Sequence, residues 1–139
     1  MAHSYHHAVS SARKFGGIAA DYQPIHDWLD ASKMILVDFR HRALRHHAEG
    51  CFAAEAVFGT TITNADGKAV PVRVIAEQHI REDLARIPSF ADWVRCIRPK
   101  PSMARAGAKL DLGKADQDRP FHCTEMMTDQ LGIPPDFPS

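Results

Sequence analysis

The sequence predicts a mainly α fold, a single-domain helical bundle with one short β-hairpin, and three observations predict it. Apolar residues recur at helical spacing through most of the first 98 residues. A β-branched run, Thr60-Thr61-Ile62-Thr63, and a second extended run, Ala69 to Val72, flank the turn sequence Asn64-Ala65-Asp66-Gly67-Lys68. The composition is that of a folded domain: 45% hydrophobic and 24% charged over 139 residues, enough for one core and not two.

Taken in order, Ser4 suits the cap of a helix reaching about Lys14, with Tyr5, Ala8, Val9 and Ala12 on its apolar side. His6 flanks that side and His7 points away from it. Gly16-Gly17 stops the helix. Asp21 to Pro24 reads as a turn, with Pro24 suited to the start of the next helix. That helix carries Ile25, Trp28, Leu29 and Ser32 inward, and it sets His26 and Asp30, four apart, on one flank. Ser32-Lys33 and Asp38 are the two capping positions at which it can break. A central helix then runs to about Phe58 and ends at Gly59. Leu36, Phe39, Ala43, Gly50, Ala53, Ala54 and Val57 share one of its faces, with His46 in the middle. After the hairpin, over about residues 60–72, a long helix runs from Val72 to about Leu84 on Val72, Ile75, Ala76, Ile80 and Leu84. His79 and Asp83 fall on that inward stripe, and Glu77 and Glu82 lie to its sides. Ile87-Pro88-Ser89 caps a last helix from Phe90 to about Ile97, with Phe90, Trp93, Val94 and Ile97 inward.

Beyond Arg98 the prolines and glycines at Pro99, Pro101, Gly107 and Gly113 read as an irregular tail. The expected organisation is a helical domain, 1–98, and a C-terminal tail, 99–139. Met126, Met127, Leu131, Ile133 and Phe137 are too many apolar residues for a solvated tail, so they are expected to cover the bundle or to join two copies into a homo-oligomer.

Net formal charge is zero, which sets a nucleic-acid partner far behind other readings. No apolar run reaches the ~20 residues of a membrane span, and the N-terminus has no apolar signal core, so a cytoplasmic location is expected. Three widely spaced cysteines, Cys51, Cys96 and Cys123, support neither a disulfide framework nor a zinc knuckle. Histidine is the outlier: nine in all, seven of them within the first 47 residues.

Several blocks carry a resemblance. They are His26…Asp30-Ala31-Ser32-Lys33, Asp38-Phe39-Arg40-His41-Arg42-Ala43…His46, Thr63-Asn64-Ala65-Asp66-Gly67, Val72-Arg73…Glu77-Gln78-His79…Glu82-Asp83 and Ile87-Pro88-Ser89…Asp92-Trp93. Together, over roughly residues 5–98, they resemble a family of short bacterial and phage-encoded proteins of uncharacterised function. The resemblance implies that the polar blocks form one site or one structural unit, and it supplies no activity. A second likeness is to the HD phosphohydrolases, through His26-Asp27 as a doublet with His7 before it and Asp83 after. It departs from that pattern in the Pro24-Ile25 lead-in and in Trp28, which follows the doublet directly.

The residue types point to a metal. Divalent transition ions take neutral imidazole and carboxylate ligands, and helical bundles build such sites from facing helices. His26, Asp30, His46, His79 and Asp83 are the candidate ligands, for Zn, Mn, Fe or Ni. Asp38, His41 and Glu82 are the catalytic candidates, and Lys33 and Arg42 would hold an anionic small molecule. The expected activity is that of a metal-dependent hydrolase on a phosphoester or nucleotide-like substrate. The alternative is a small helical binding or regulatory protein, cellular or phage-directed, in which the same cluster is structural and histidine meets carboxylate without metal.

Overall fold

A computed structural model of the chain describes residues 3–104 and 106. The chain divides into two units after Phe90. The first carries α1 (Ser4–Phe15), α2 (Ala19–Asp30), α3 (Ala48–Phe58), β1 (Thr61–Thr63), β2 (Ala69–Pro71) and α4 (Val72–Leu84). The fold is mainly α with one two-stranded antiparallel hairpin, in the register Ile62 opposite Val70.

His3, not Ser4, caps α1: its ring accepts the Tyr5 N–H at 3.2 Å, and Ser4 instead donates to Asp27 at 2.6 Å. The buried stripe of α1 is Ser4, His7, Ala8 and Ser11, while Tyr5 is exposed. His7, expected to point outward, is therefore an inward residue. The expected turn at Asp21 to Pro24 lies inside α2, because Asp21 reaches back to accept the Ile18 N–H at 2.9 Å and so starts the helix earlier. Trp28 is half-buried, and Tyr22, Ile25, His26, Leu29 and Asp30 form the inward face of α2.

The expected central helix is not continuous. Two short 3₁₀ segments, Ala31–Met34 and Phe39–Leu44, precede α3. Asp38 caps the second by accepting the Arg40 N–H at 2.9 Å, and His47 caps α3 by accepting the Gly50 N–H at 2.9 Å. Each cap satisfies donors at a helix start, and a start cannot lie inside a helix. Leu36, Phe39 and Ala43 are consequently half-buried, Ala53 and Val57 are exposed, and of the expected face only His46, Gly50 and Ala54 are buried. The reversal before α3 is tight: a Cβ on Gly50 would stand 2.0 Å from the Arg45 carbonyl oxygen. Gly50→Ala is therefore expected to destabilise the protein by about 3 kcal/mol, the upper range of overpacking. A urea midpoint equal to wild type would show that the reversal tolerates a side chain.

The hairpin docks on the α1–α2 corner through its turn. Asn64 accepts the Asp66 and Lys68 N–H groups at 3.0 Å and donates to the Phe15 carbonyl at 3.2 Å. Asp21 accepts the Ala65 N–H at 2.9 Å, and Gly17, at φ 72°, passes so close to Asn64 that a Cβ would lie 2.8 Å from the Asn64 Cβ. The core of this unit is Tyr22, Ile25, Leu29, Val70, Val72, Ile75 and Ile80, each essentially solvent-free. Burying each such aliphatic contributes about 1.5–3 kcal/mol. Helix α4 runs over the span expected of it, with His79 on its buried stripe and Gln78 buried beside it.

The segment after α4 departs from expectation. Helix α5 is short, Phe90–Val94, and among Phe90, Trp93, Val94 and Ile97 only Trp93 is buried. The residues expected to cover the bundle, Met126 to Phe137, lie outside the described residues. Among the described residues, no helix is long and apolar enough to cross a membrane.

Candidate metal centre

Four side chains from three parts of the chain meet at one point. Asp30 is the last residue of α2, His46 lies in the connector before α3, and His79 and Asp83 stand one turn apart on α4. One ligand atom from each lies within 4.8 Å of all the others. His46 Nε2 is 3.1 Å from His79 Nε2, 3.1 Å from Asp83 Oδ2 and 3.6 Å from Asp30 Oδ1. His79 Nε2 is 3.4 Å from Asp30 Oδ1 and 3.5 Å from Asp83 Oδ2. Bonds of about 2.0–2.1 Å to a tetrahedral ion put ligand atoms about 3.3–3.4 Å apart. These five separations straddle that value.

Electrostatics agree with the geometry. Both carboxylates are buried, and burial works to raise their pKa values. The imidazoles of His46, His7 and His79 beside it outweigh burial at Asp83, and His79 with Lys33 outweighs it at Asp30. Both are thus held well below the ordinary carboxylate range, as anions. Burial pushes His46 down to about 4 against the pull of Asp83, so its ring is neutral near pH 7. Asp30 Oδ1 has no hydrogen-bond partner among the described residues, although it is buried and aimed at the imidazoles. Lys33 meets the other oxygen of Asp30, which leaves Oδ1 facing the imidazoles, and two anionic carboxylates with two imidazole nitrogens are a hard-to-borderline donor set that suits a divalent transition ion.

The other expected site residues take different places. His26 stands behind His79, with Nδ1 at 2.9 Å from His79 Nδ1 and Nε2 at 2.8 Å from Ser11 Oγ. Burial, with His79 and His7 nearby, lowers it to about 3. It sits beside the four converging atoms rather than among them. Asp27, the second half of the apparent His-Asp doublet, is exposed and bonded to Ser4 and Gln23, so the doublet does not enter the site. Asp38 is taken up by Arg40, at 2.6 Å, and by its cap, which places it apart from the cluster's contacts. Glu82 belongs to a neighbouring network: it meets His7 at 2.6 Å and accepts from Ser10 and from Gln78. His41 is buried against Ser32, at 2.8 Å, with its ring edge-on to His46 at 5.3 Å between centroids. Burial, then Lys33, lowers it to about 4. Lys33 pairs with Asp30 at 2.8 Å. Arg42 is buried with Nη2 3.6 Å from Asp83 Oδ2, and its Nε has no partner among the described residues.

His7 is the residue that apolar periodicity misses. Its ring lies 4.0 Å from that of His79, and its two nitrogens face Glu82 at 2.6 Å and Asp83 at 3.4 Å. Burial lowers its pKa, but bonds to Asp83 and Glu82 prevail and raise it. The signal for it was the spacing of Ser4, His7, Ala8 and Ser11, a helical stripe of small and polar residues. The arginines nearby lie in different surroundings: Arg40 is exposed, Arg42 is buried, and Arg45 stacks on Trp28 at 4.1 Å and donates to the Trp28 carbonyl. Cys51 is buried and pushed up to about 12 by that burial, which makes it a poor nucleophile.

No curated protein and no solved structure matches the chain. The sequence profile of a domain of unknown function matches residues 2–103, which contain every residue of the cluster. The chain therefore belongs to this family, DUF6915, the domain of unknown function that spans most of its length.

Proposed function

We propose that this domain binds one divalent transition metal, Zn, Mn, Fe or Ni, through Asp30, His46, His79 and Asp83, and that it is a metal-dependent hydrolase of an anionic substrate. One observation carries the reading: five of the six separations among the four ligand atoms lie at 3.1–3.6 Å, close to the edges of a tetrahedral centre, around two buried carboxylates and two imidazoles. When bound, such an ion supplies Lewis acidity and lowers the pKa of nearby water. The chain's own contribution is positioning. Lys33 holds the outer oxygen of Asp30, and the Arg42 guanidinium beside Asp83 offers an unpartnered N–H to an anion such as a phosphoester.

A second reading has its own support. Asp30, His46 and His79 are 8%, 0% and 0% exposed, and the Asp83 side chain is 7% exposed. Closed sites with four protein ligands are the rule for structural zinc. Under this reading the domain is a binding or regulatory protein stapled by its metal. Two measurements separate the cases. Elemental analysis of protein purified without chelator is expected to find one metal per chain, and Asp83→Asn is expected to lose it. A panel of phosphomonoesters, phosphodiesters and nucleotides then tests the loaded protein; turnover that vanishes in Asp83→Asn supports the hydrolase, and none across the panel leaves the structural metal. Failure of the protein to retain or take up any of the four ions would overturn both.

A further inference from the structure

A row of buried side chains leads away from the centre, and elementary hydrogen-bond accounting gives it a direction. Glu82 is an acceptor only, so the group of Gln78 that meets its Oε1 at 2.7 Å must be the amide NH₂. The Gln78 oxygen then faces Ser11 Oγ at 2.9 Å and must accept from it. With its single proton given away, Ser11 Oγ can only accept from His26 Nε2, 2.8 Å distant. His26 is fully buried, and its ring nitrogens meet only a hydroxyl and another imidazole, so no anion contacts either nitrogen to offset the cost of burying a charge there. A neutral His26 that carries its proton on Nε2 has a bare Nδ1. The 2.9 Å contact between the two Nδ1 atoms therefore takes its proton from His79. A His79 that carries one proton, as a metal ligand must, then holds it on Nδ1 behind and presents a bare Nε2 in front, facing Asp30, Asp83 and His46.

We infer that Gln78, Ser11 and His26 form a one-way hydrogen-bond relay that fixes the tautomer of His79, so that its Nε2 lone pair points into the centre. They are positioning residues for a divalent cation and touch it through His79 alone. The purpose of the relay rests on the proposed metal site; its direction does not, because it follows from the Glu82 end. A ligand imidazole held from behind in this way is oriented and made more basic.

The test has two arms, both on the full chain. In the metal-free wild type at about pH 8, above the range where imidazole titrates, ¹⁵N–¹H correlation through the ring is expected to show His79 as the Nδ1–H tautomer. In competition with a chromophoric chelator, Ser11→Ala and Gln78→Leu are expected to bind Zn(II) about 10–100-fold more weakly than wild type. Loss of the Ser11 or Gln78 acceptor frees the relay to reverse, and their ring spectra should show His79 shifting toward Nε2–H. Metal-free melting of each variant checks that it folds; should Ser11→Ala fail to, Gln78→Leu and the wild-type spectrum decide. An Nε2–H tautomer in wild type overturns the relay, and so does wild-type zinc affinity in a folded variant. Wild type that takes up no zinc yet shows the Nδ1–H tautomer overturns the metal reading while the relay's direction stands.

Discussion

Zn(II) at about a hundred times its dissociation constant is expected to raise the melting temperature of this protein by about 10 °C. Metal that binds only the folded chain adds about 2.7 kcal/mol at that excess, and a domain of this size gains a few degrees per kcal/mol. The increment depends on the four converging atoms, so His46→Ala and His79→Ala should each lose most of it. Each variant should also melt lower without metal, since a fully buried ring leaves a cavity. His6→Ala, on the exposed side of α1, should keep the full increment. Differential scanning calorimetry of the four proteins, with zinc and with chelator, makes the comparison. Equal midpoints with and without zinc in wild type would remove the metal from the account.

The metal-free protein is expected to lose its stability as pH falls from about 6.5 toward 4, above the range in which carboxylates titrate. Burial holds His41 and His46 at about 4 and His26 at about 3, whereas each titrates near 6.5 in an unfolded chain. Below 6.5 the unfolded chain therefore takes up protons that the folded one refuses, and the folded state loses ground until its own rings titrate. One histidine moved from 6.5 to about 4 corresponds to about 3 kcal/mol. Two of them would remove much of a typical ~5–15 kcal/mol of stability. His7 acts in the opposite sense. Its raised pKa gives a contribution present below 6.5 and lost as pH rises through its folded value, so it offsets part of the decline. Asp30 and Asp83, held low, contribute above 3.8 and lose that contribution only below it. Urea unfolding in chelator at half-unit pH steps reads the slope. A midpoint unchanged between pH 6.5 and 4 would mean that these rings are charged in the folded protein.

Much of the architecture was legible because it rests on local chemistry. The hairpin follows from β-branched runs on either side of a turn whose Asn64 and Gly67 supply its two special needs, a side-chain acceptor and a positive φ of 77°. Helix α4 follows from an apolar stripe that a single helix can satisfy. The two pairs spaced four apart, together with His46, were visible as one potential cluster, since a helix necessarily stacks such residues. The false central helix shows where periodicity fails. Leu36 through Val57 keep a 3.6-residue rhythm, but Asp38 and His47 both act as caps, and the crowding of Gly50 against Arg45 is a contact between separate turns of chain. The face of α1 was misjudged for another reason. Its partners are Glu82, Gln78 and His26, so the side that packs is polar, and a search for apolar stripes looks past it. The division between the converging four and His26 also depends on which nitrogen faces which neighbour, a matter of tertiary geometry.

Two of the four converging groups share one rigid helix, while the other two bracket the stretch from Asp30 to His46. That stretch has little apolar burial to secure it: Met34, Ile35 and Val37 are 91%, 77% and 80% exposed. Besides the converging groups themselves, the polar contacts described above that tie it to neighbouring elements are Arg45 on the Trp28 carbonyl and Arg42 on Asp83. A cation at the centre would work as a clasp on this strap, joining both its ends to α4. Its amides would exchange with solvent as a local opening when the clasp is undone and slow toward the global rate when it is closed. Occupancy of the centre would then be written in the mobility of a surface some distance along the chain, at the exposed side chains of Met34, Ile35 and Val37.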